Sequence, residues 1–227
     1  MKKTATLLTL LLLFVSLAFA DTTKQESSDD GYISKSGSSY TTGDYVWDST
    51  KRCLNIYGAV GGNEKRGYKR FLMDMDEYTI TAATLYWYLV STDPDSGCTT
   101  ACKLEQINDY GTLDATEAEY TGTVKHDYGD VMTYNQSAGW DSVDVTAEME
   151  ASKEDAYVAF RWRVSSTPAV GDIDYYIAAY EETSFKAYLV LTLSTGWSHK
   201  RDGVENASIA AIDGVVKASI ASVDGVE

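Results

Sequence analysis

Two arginines stand at alternate positions of one segment, close to a tyrosine. Arg161 and Arg163 follow Tyr157, and Arg70 lies in a similar segment earlier in the chain. Alternate residues of a β-strand point to the same side, so these four side chains are predicted to share a solvent-facing surface. Guanidinium groups bind carboxylates through paired hydrogen bonds, and tyrosine rings suit the faces of sugars. The pattern favours an acidic carbohydrate ligand; the alternative is cross-strand pairing with Asp or Glu.

Residues with the spacing of a catalytic site are sparse. The chain has no G-x-S-x-G elbow and no phosphate-cradling loop, and neither His126 nor His199 has a recognisable nucleophile partner. A glycosidase needs only two carboxylates, which the 34 acidic residues can supply. Residues 93–97 read D-P-D-S-G, part of a calcium loop without its third acidic ligand. We predict that the protein is not an enzyme and has no cofactor, with a structural calcium ion left open.

The three cysteines are Cys53, Cys98 and Cys102. In an oxidising compartment two of them are expected to pair. Cys98 and Cys102 bracket three residues and could close a local disulfide, whereas pairing of Cys53 with either one stays open. Zinc binding is not predicted, because neither histidine has ligand spacing to the cysteines.

Residues 1–20 have the pattern of a secretory signal. Lys2 and Lys3 precede an apolar run that closes with the small-x-small triplet Ala18-Phe19-Ala20. The run is shorter than the roughly 20 residues needed to cross a bilayer, which favours a signal over a membrane span. The net charge of −15, more negative still without the two lysines, disfavours nucleic-acid and anionic-membrane partners. We predict a secreted or cell-surface protein.

The remaining chain reads as strands and turns. Segments rich in Tyr, Val, Ile, Thr and Trp alternate with Gly, Asp, Asn and Ser clusters, which predicts an all-β domain at 30–194 after a polar linker at 21–29. Residues 80–90 and 187–193 are predicted as central strands. A helical turn is predicted only at 146–152, capped by Thr146. In the strand at 157–165, the predicted core residues are Val158, Phe160, Trp162 and Val164.

Residues 195–227 carry an internal repeat. The tripeptide Asp-Gly-Val recurs every eleven residues, beginning at Asp202, Asp213 and Asp224. Asp-Gly favours two-residue hairpin turns because both positions need positive φ. The repeat predicts a β-meander tail that mediates self-association, and a right-handed coiled coil is the alternative.

Four sequence blocks carry a resemblance to a known family. They are DGYI at 30–33, ITAATLYWY at 80–88, YGTLDATEAEYTG at 110–122 and GWDSVDVTAEM at 139–149. Together they resemble the DNRLRE-type domain, also called disaggregatase-related and grouped with carbohydrate-binding module family 96. The resemblance covers residues 30–194 and implies an antiparallel jelly-roll β-sandwich on secreted or cell-surface proteins, some of which bind acidic polysaccharide. The motif that names the family is absent, and residues 180–182 are the nearest stretch.

The same blocks have a structural interpretation. Trp140 and Val143 are predicted to pack in the core, with Asp144 and Thr146 closing a turn. We therefore predict a non-catalytic carbohydrate-binding or adhesion module whose partner is an extracellular polysaccharide. The alternative is a structural subunit of a surface layer, filament or virus-like particle, whose partner is another copy of the chain.

Overall fold

The computed structural model describes residues 21–27, 29–48, 51–73, 75–76, 78–195, 211–212 and 215–216. Within these residues the protein is mostly β, and thirteen strands form one antiparallel curled sheet. This confirms the all-β prediction. The predicted signal and most of the predicted tail lie outside the described residues. Among the described helices, none is long and apolar enough to cross a membrane.

The strands of the sheet follow one another along the chain with two short helices between them. The strands are β1 (Asp21–Glu26), β2 (Asp29–Ser36), β3 (Ser39–Gly43), β4 (Val46–Asp48), β5 (Lys51–Gly58), β6 (Glu64–Leu72), β7 (Tyr78–Pro94), β8 (Cys102–Ile107), β9 (Val124–Met132), β10 (Gly139–Asp144), β11 (Tyr157–Val164), β12 (Ile173–Ala178) and β13 (Tyr188–Thr195). The helices are α1 (Glu117–Thr121) and α2 (Thr146–Ala151).

The strand order shows how the sheet encloses its core. It runs β1-β13-β7-β12-β5-β6-β11-β8-β9, while β10 pairs with β7, β2 pairs with β3 and β6, and β4 pairs with β5. β5 and β6 share only two paired positions, Tyr57 with Lys65 and Gly58 with Glu64. Strands from both sides of this short ladder contribute to one apolar cluster, so the curled sheet packs against itself.

The main core contains the residues that the alternating pattern assigned to it. Trp87 from β7 and Trp162 from β11 are fully buried and meet edge to face, with ring centroids 5.9 Å apart. Phe160 meets Phe71 in the same way at 5.8 Å. The core side predicted for β11 is confirmed, since Val158, Phe160, Trp162 and Val164 are all buried.

A second, smaller cluster lies on the other face of β6 and β11. Residues 108–123, which include α1, pack Tyr110 and Tyr120 against Tyr68 and Ala159. Thr116 caps α1, because its hydroxyl accepts a hydrogen bond from Glu119 N at 3.2 Å. The predictions missed this helix. Its capping side chain is the sequence signal that could have located it.

The predicted linker at 21–29 is wrong. β1 and β2 occupy most of it, and β1 pairs with β13 from Asp21 opposite Leu193 to Glu26 opposite Tyr188. The ladder is formed by backbone groups, so a polar segment can add to a sheet whose other strands supply the core.

The predicted helical turn at 146–152 is confirmed as α2, but its cap is different. Val145 occupies the N-cap position and makes no side-chain cap. The Thr146 hydroxyl instead donates to Asp144 Oδ1 at 2.6 Å and accepts from Ala83 N at 2.9 Å. The predicted turn between Asp144 and Thr146 therefore forms, and it ties α2 to β7.

The described part of the tail is one small hairpin, β14 (Ala211–Ile212) and β15 (Val215–Val216). Ala211 pairs with Val216 and Ile212 with Val215. Two residues separate the strands, which is the spacing that a two-residue turn requires. The other repeats of the predicted meander lie outside the described residues.

Candidate functional site

The predicted solvent-facing position of Arg161 is wrong. Its side chain is 2% exposed, and its Nε and Nη2 atoms donate to Glu105 Oε2 at 2.9 and 2.5 Å. Its Nη1 atom donates to the carbonyl oxygen of Tyr120 at 3.0 Å. The segment that carries Tyr120 covers this face of β11. Successive side chains of the strand point to opposite faces, and here both faces are buried, so neither faces water.

Arg163 shares the same carboxylate. Its Nε atom lies 3.0 Å from Glu105 Oε1, so Glu105 bridges the two arginines. Burial alone would raise the pKa of Glu105, but the charges of Arg161 and Arg163 outweigh burial and hold the pKa below its ordinary value. The bridge is an internal ion-pair network in which both guanidinium groups already have an acidic partner.

Arg70 and Tyr157 contact each other at a different place. The Arg70 guanidinium lies 3.5 Å from the centroid of the Tyr157 ring, and its Nε atom lies 2.6 Å from Asp109 Oδ1. The structure thus brings Arg70 to Tyr157 and Arg161 to Arg163, but it gives the four no common solvent-facing surface. Cross-strand pairing with an acidic residue, the alternative for these arginines, describes Arg161, which lies opposite Glu105.

A different set of side chains forms an open surface on the outer face of β7, β10 and β13. It consists of five aromatic rings, which we call the aromatic platform: Tyr86, Tyr88, Trp140, Phe185 and Tyr188. Tyr86 stacks on Tyr188 with centroids 4.9 Å apart, and Tyr88 stacks on Phe185 at 4.2 Å. Trp140 meets Tyr88 at 5.4 Å and Tyr188 at 5.2 Å, both edge to face.

Strand register places these rings together. Trp140 pairs with Tyr88 across β10 and β7, and Tyr188 pairs with Tyr86 across β13 and β7. Directly paired residues project from the same face of a sheet. The intervening residues of β7, among them Trp87, point into the core. The platform is therefore supported from beneath by buried core residues of β7.

The platform is accessible and has polar groups at its border. Trp140 is 46% exposed, and the other four rings are half-buried. Lys24 Nζ lies 4.3 Å from the Tyr188 ring centroid, and Lys51 Nζ lies 5.7 Å from that of Phe185. Ser142 pairs with Tyr86 across the strands and so lies on the same face. An exposed group of aromatic rings with a polar border is typical of a binding surface.

The predicted core position of Trp140 is wrong, whereas Val143 does pack partly buried against the core. Trp140 is opposite Tyr88, whose side chain lies on the outer face of β7, so its own ring must lie there too. The sequence ITAATLYWYLV contained a usable signal. Its tyrosines alternate with Leu85, Trp87 and Leu89, and an aromatic residue opposite them would extend an exposed row.

The three cysteines are free and buried, so the predicted disulfide between Cys98 and Cys102 is not formed in this structure. Both thiols belong to the main apolar core. Burial raises the pKa of Cys53 to about 11 and raises that of Cys102 as well. The reactive thiolate forms are therefore scarce at neutral pH.

We expect the folded chain, kept without reductant, to react very slowly with a thiol reagent, because all three thiols are buried. After unfolding in denaturant, all three cysteines should react. A colorimetric thiol count before and after unfolding measures this. A count of one after unfolding would show that a disulfide had formed and would contradict the free state.

Residues 93–97, where a calcium ion was left open, make hydrogen bonds to Asp172. Asp95 N donates to the Asp172 carbonyl at 2.8 Å, and Asp172 N donates to Asp95 Oδ2 at 3.1 Å. In the part of the chain that the structure describes, no group of three or more His, Cys, Asp or Glu side chains could hold a metal ion. His126 Nδ1 lies 3.1 Å from Glu148 Oε1 on the surface.

Comparisons with protein-family models and with curated proteins give no match to this chain. The resemblance to DNRLRE-type domains therefore stays a prediction.

Proposed function

We propose that this protein is a secreted or cell-surface carbohydrate-binding module, without catalytic activity, whose binding surface is the aromatic platform. The observation that carries the proposal is the exposed Trp140, held by Tyr88 and Tyr188 in one continuous group of rings. We also propose that the sheet has the jelly-roll topology that the family resemblance implies. Arg70, Arg161 and Arg163 are not part of this proposed binding surface.

The chemistry of a sugar matches such a surface. A pyranose ring has an apolar face of C–H groups and a rim of hydroxyl groups. Aromatic rings cover the apolar face with large contact area and little loss of side-chain entropy, while nearby polar groups bind the hydroxyls. Ser142 and Lys24 border the rings and offer a hydroxyl and an ammonium group for such contacts. Four of the rings come from three strands and Phe185 comes from the segment before β13, so the platform can contact more than one sugar unit.

The change that tests the proposal is Trp140→Ala. We expect it to weaken binding about tenfold or more, equivalent to about 1.4 kcal/mol, because it removes the most exposed ring. The free energy of unfolding should fall by less than about 1.5 kcal/mol, since only ring contacts at the surface are lost. Titration calorimetry with a neutral hexose polymer and with a uronic-acid polymer measures the binding affinity. Denaturant unfolding measures the free energy of unfolding.

The matched control is Val170→Ala, an exposed apolar residue that is 56% exposed and lies outside the platform. It should leave binding unchanged. Equal affinities of wild type and Trp140→Ala for every polymer that binds would contradict the proposal. Repeating the titration at high salt tests the acidic-ligand prediction, because affinity for a uronic-acid polymer should fall if charge pairs contribute.

The second candidate is a subunit of an extracellular assembly. One observation favours it: among the described strands, β10 pairs with β7 alone, so one edge of its backbone is open for another strand. Light scattering together with a glycan array separates the two candidates. Glycan binding by a monomer supports the module, and large assemblies without glycan binding support the subunit.

A further inference from the structure

A lysine and an aspartate face each other deep inside the protein. Lys69 on β6 is paired with Asp30 on β2, and both side chains are 0% exposed. Lys69 Nζ lies 2.6 Å from Asp30 Oδ2. On its other side Lys69 is paired with the fully buried Phe160 of β11. The pair is thus enclosed by neighbouring strands and shielded from water.

The last residue of β12 and the segment after it place polar groups around this pair. Lys69 Nζ donates to the Ala178 carbonyl at 2.9 Å, and Tyr180 N donates to Asp30 Oδ2 at 2.6 Å. Asp30 Oδ1 and Glu181 Oε2 are buried and have no hydrogen-bond partner among the described residues. Glu181 also acts electrostatically on Asp30, so two acidic groups, each with one unpartnered oxygen, lie near the Lys69 amine.

The surroundings of Asp30 make its carboxylate easier to protonate than an exposed aspartate. Burial raises the pKa of Asp30 and outweighs the opposing charge of Lys69, and the nearby Glu181 adds to the rise. Removing two charges from water costs more than their attraction returns in many buried pairs. Transfer of one proton from the ammonium to the carboxylate removes both charges. It leaves a neutral amine, which is a nucleophile, beside a neutral carboxylic acid, which can be attacked.

We propose that Lys69 and Asp30 join in an intramolecular isopeptide bond, formed by the folded protein itself with Glu181 as proton carrier. Lys69 Nζ attacks Asp30 Cγ, and the new C–N bond gives a tetrahedral centre. The Tyr180 N–H stabilises the developing charge on Oδ2. Glu181 carries two protons from Nζ to Oδ1, one before and one after the attack. The C–Oδ1 bond then breaks, Oδ1 leaves as a water molecule, and Oδ2 becomes the amide oxygen.

This reaction balances without any other reactant. The amine and the acid become an amide and water, and no atom is oxidised or reduced. Burial favours the reaction because the amide carries no charge and the released water leaves the apolar site. The fold holds the reacting groups together, which replaces a slow encounter by an intramolecular step. The bond would fasten β2, which also pairs with β3, to β6.

Peptide mapping of the purified full chain tests the proposal. An amide at Lys69 blocks tryptic cleavage there, so we expect residues 67–70 joined to residues 25–35, with a mass lower than their sum by one water molecule. The surface pair Lys125 and Asp155, whose Nζ and Oδ2 atoms lie 2.9 Å apart, is the internal control and should give unlinked peptides. Separate, unmodified peptides for Lys69 and Asp30 would overturn the proposal.

Two variants sharpen the result. Asp30 precedes Gly31, and a succinimide at this step would lose the same mass. In Lys69→Met the mass loss should disappear, whereas a succinimide would persist there and would hydrolyse in mild alkali. Glu181→Gln should fold, by circular dichroism, but keep the unlinked mass. Full cross-linking of Glu181→Gln would overturn the role of Glu181, and a persistent mass loss in Lys69→Met would overturn the bond.

Discussion

Arg161→Met is expected to lower the free energy of unfolding by about 3–5 kcal/mol at neutral pH. The substitution removes the cation that makes two of the hydrogen bonds to Glu105, whose side chain is only 3% exposed. A buried carboxylate then keeps only Arg163 and the more distant Lys103 as partners. Denaturant unfolding measures the change.

The size of this effect should depend on pH in a specific direction. In the wild type the pKa of Glu105 lies below its ordinary value of 4.5, so its stabilising contribution is complete above that pH and is lost as the pH falls through the folded-state pKa. Without Arg161, burial dominates and the pKa of Glu105 should rise. The variant then gains stability as the pH falls through this raised pKa, whereas the wild type loses stability below about pH 4.5. The difference in stability between them should therefore begin to narrow above pH 4.5 and narrow further below it.

Two controls separate this network from an ordinary surface ion pair. Lys125→Met breaks an exposed pair with Asp155 and should cost less than about 1 kcal/mol. Adding Glu105→Leu to Arg161→Met removes the unpaired charge, so the double variant should be more stable than Arg161→Met alone. If the stability lost in Arg161→Met did not depend on pH, or were no larger than that lost in Lys125→Met, Arg161 would not be a buried ion-pair residue.

Phe160→Ala should destabilise the protein by about 3–5 kcal/mol. Phe160 is fully buried, and its ring meets those of Phe71 and Tyr128 with centroids 5.8 and 6.2 Å away. Truncation leaves a cavity between sheet strands whose backbone pairing restricts collapse. Thermal and denaturant unfolding measure the loss.

The control for Phe160→Ala is Leu72→Ala at the end of the neighbouring strand. Leu72 is 43% exposed, so its replacement should change stability by about 0.5 kcal/mol or less. Similar melting temperatures for the two variants would show that β11 does not pack its Phe160 side against the core.

Alternation along the chain was enough to predict the elements that form the main core. Val158, Phe160, Trp162 and Val164 are buried as predicted, and the turn at Asp144 and Thr146 forms. Such features depend on period-2 patterning and on local hydrogen bonds, both of which are properties of neighbouring residues. The all-β class follows from the same information.

The candidate binding surface could not be predicted in the same way. Trp140 looks like a core residue by its type, and only its pairing with Tyr88 places it on the outer face. Arg161 looks like a solvent-facing residue by alternation, and only the coverage by residues 108–123 buries it. Both depend on contacts between residues far apart in the chain, which one sequence does not specify.

The sequence by itself therefore determined the class of fold, the core side of β11 and the position of α2. Tertiary structure alone decided which aromatic rings assemble on one surface, which arginines are enclosed, and that Lys69 meets Asp30 across β6 and β2. The physical reason is that local pattern sets which side of a strand a residue occupies. Whether that side is covered, and by which partner, depends on the order in which the strands pair.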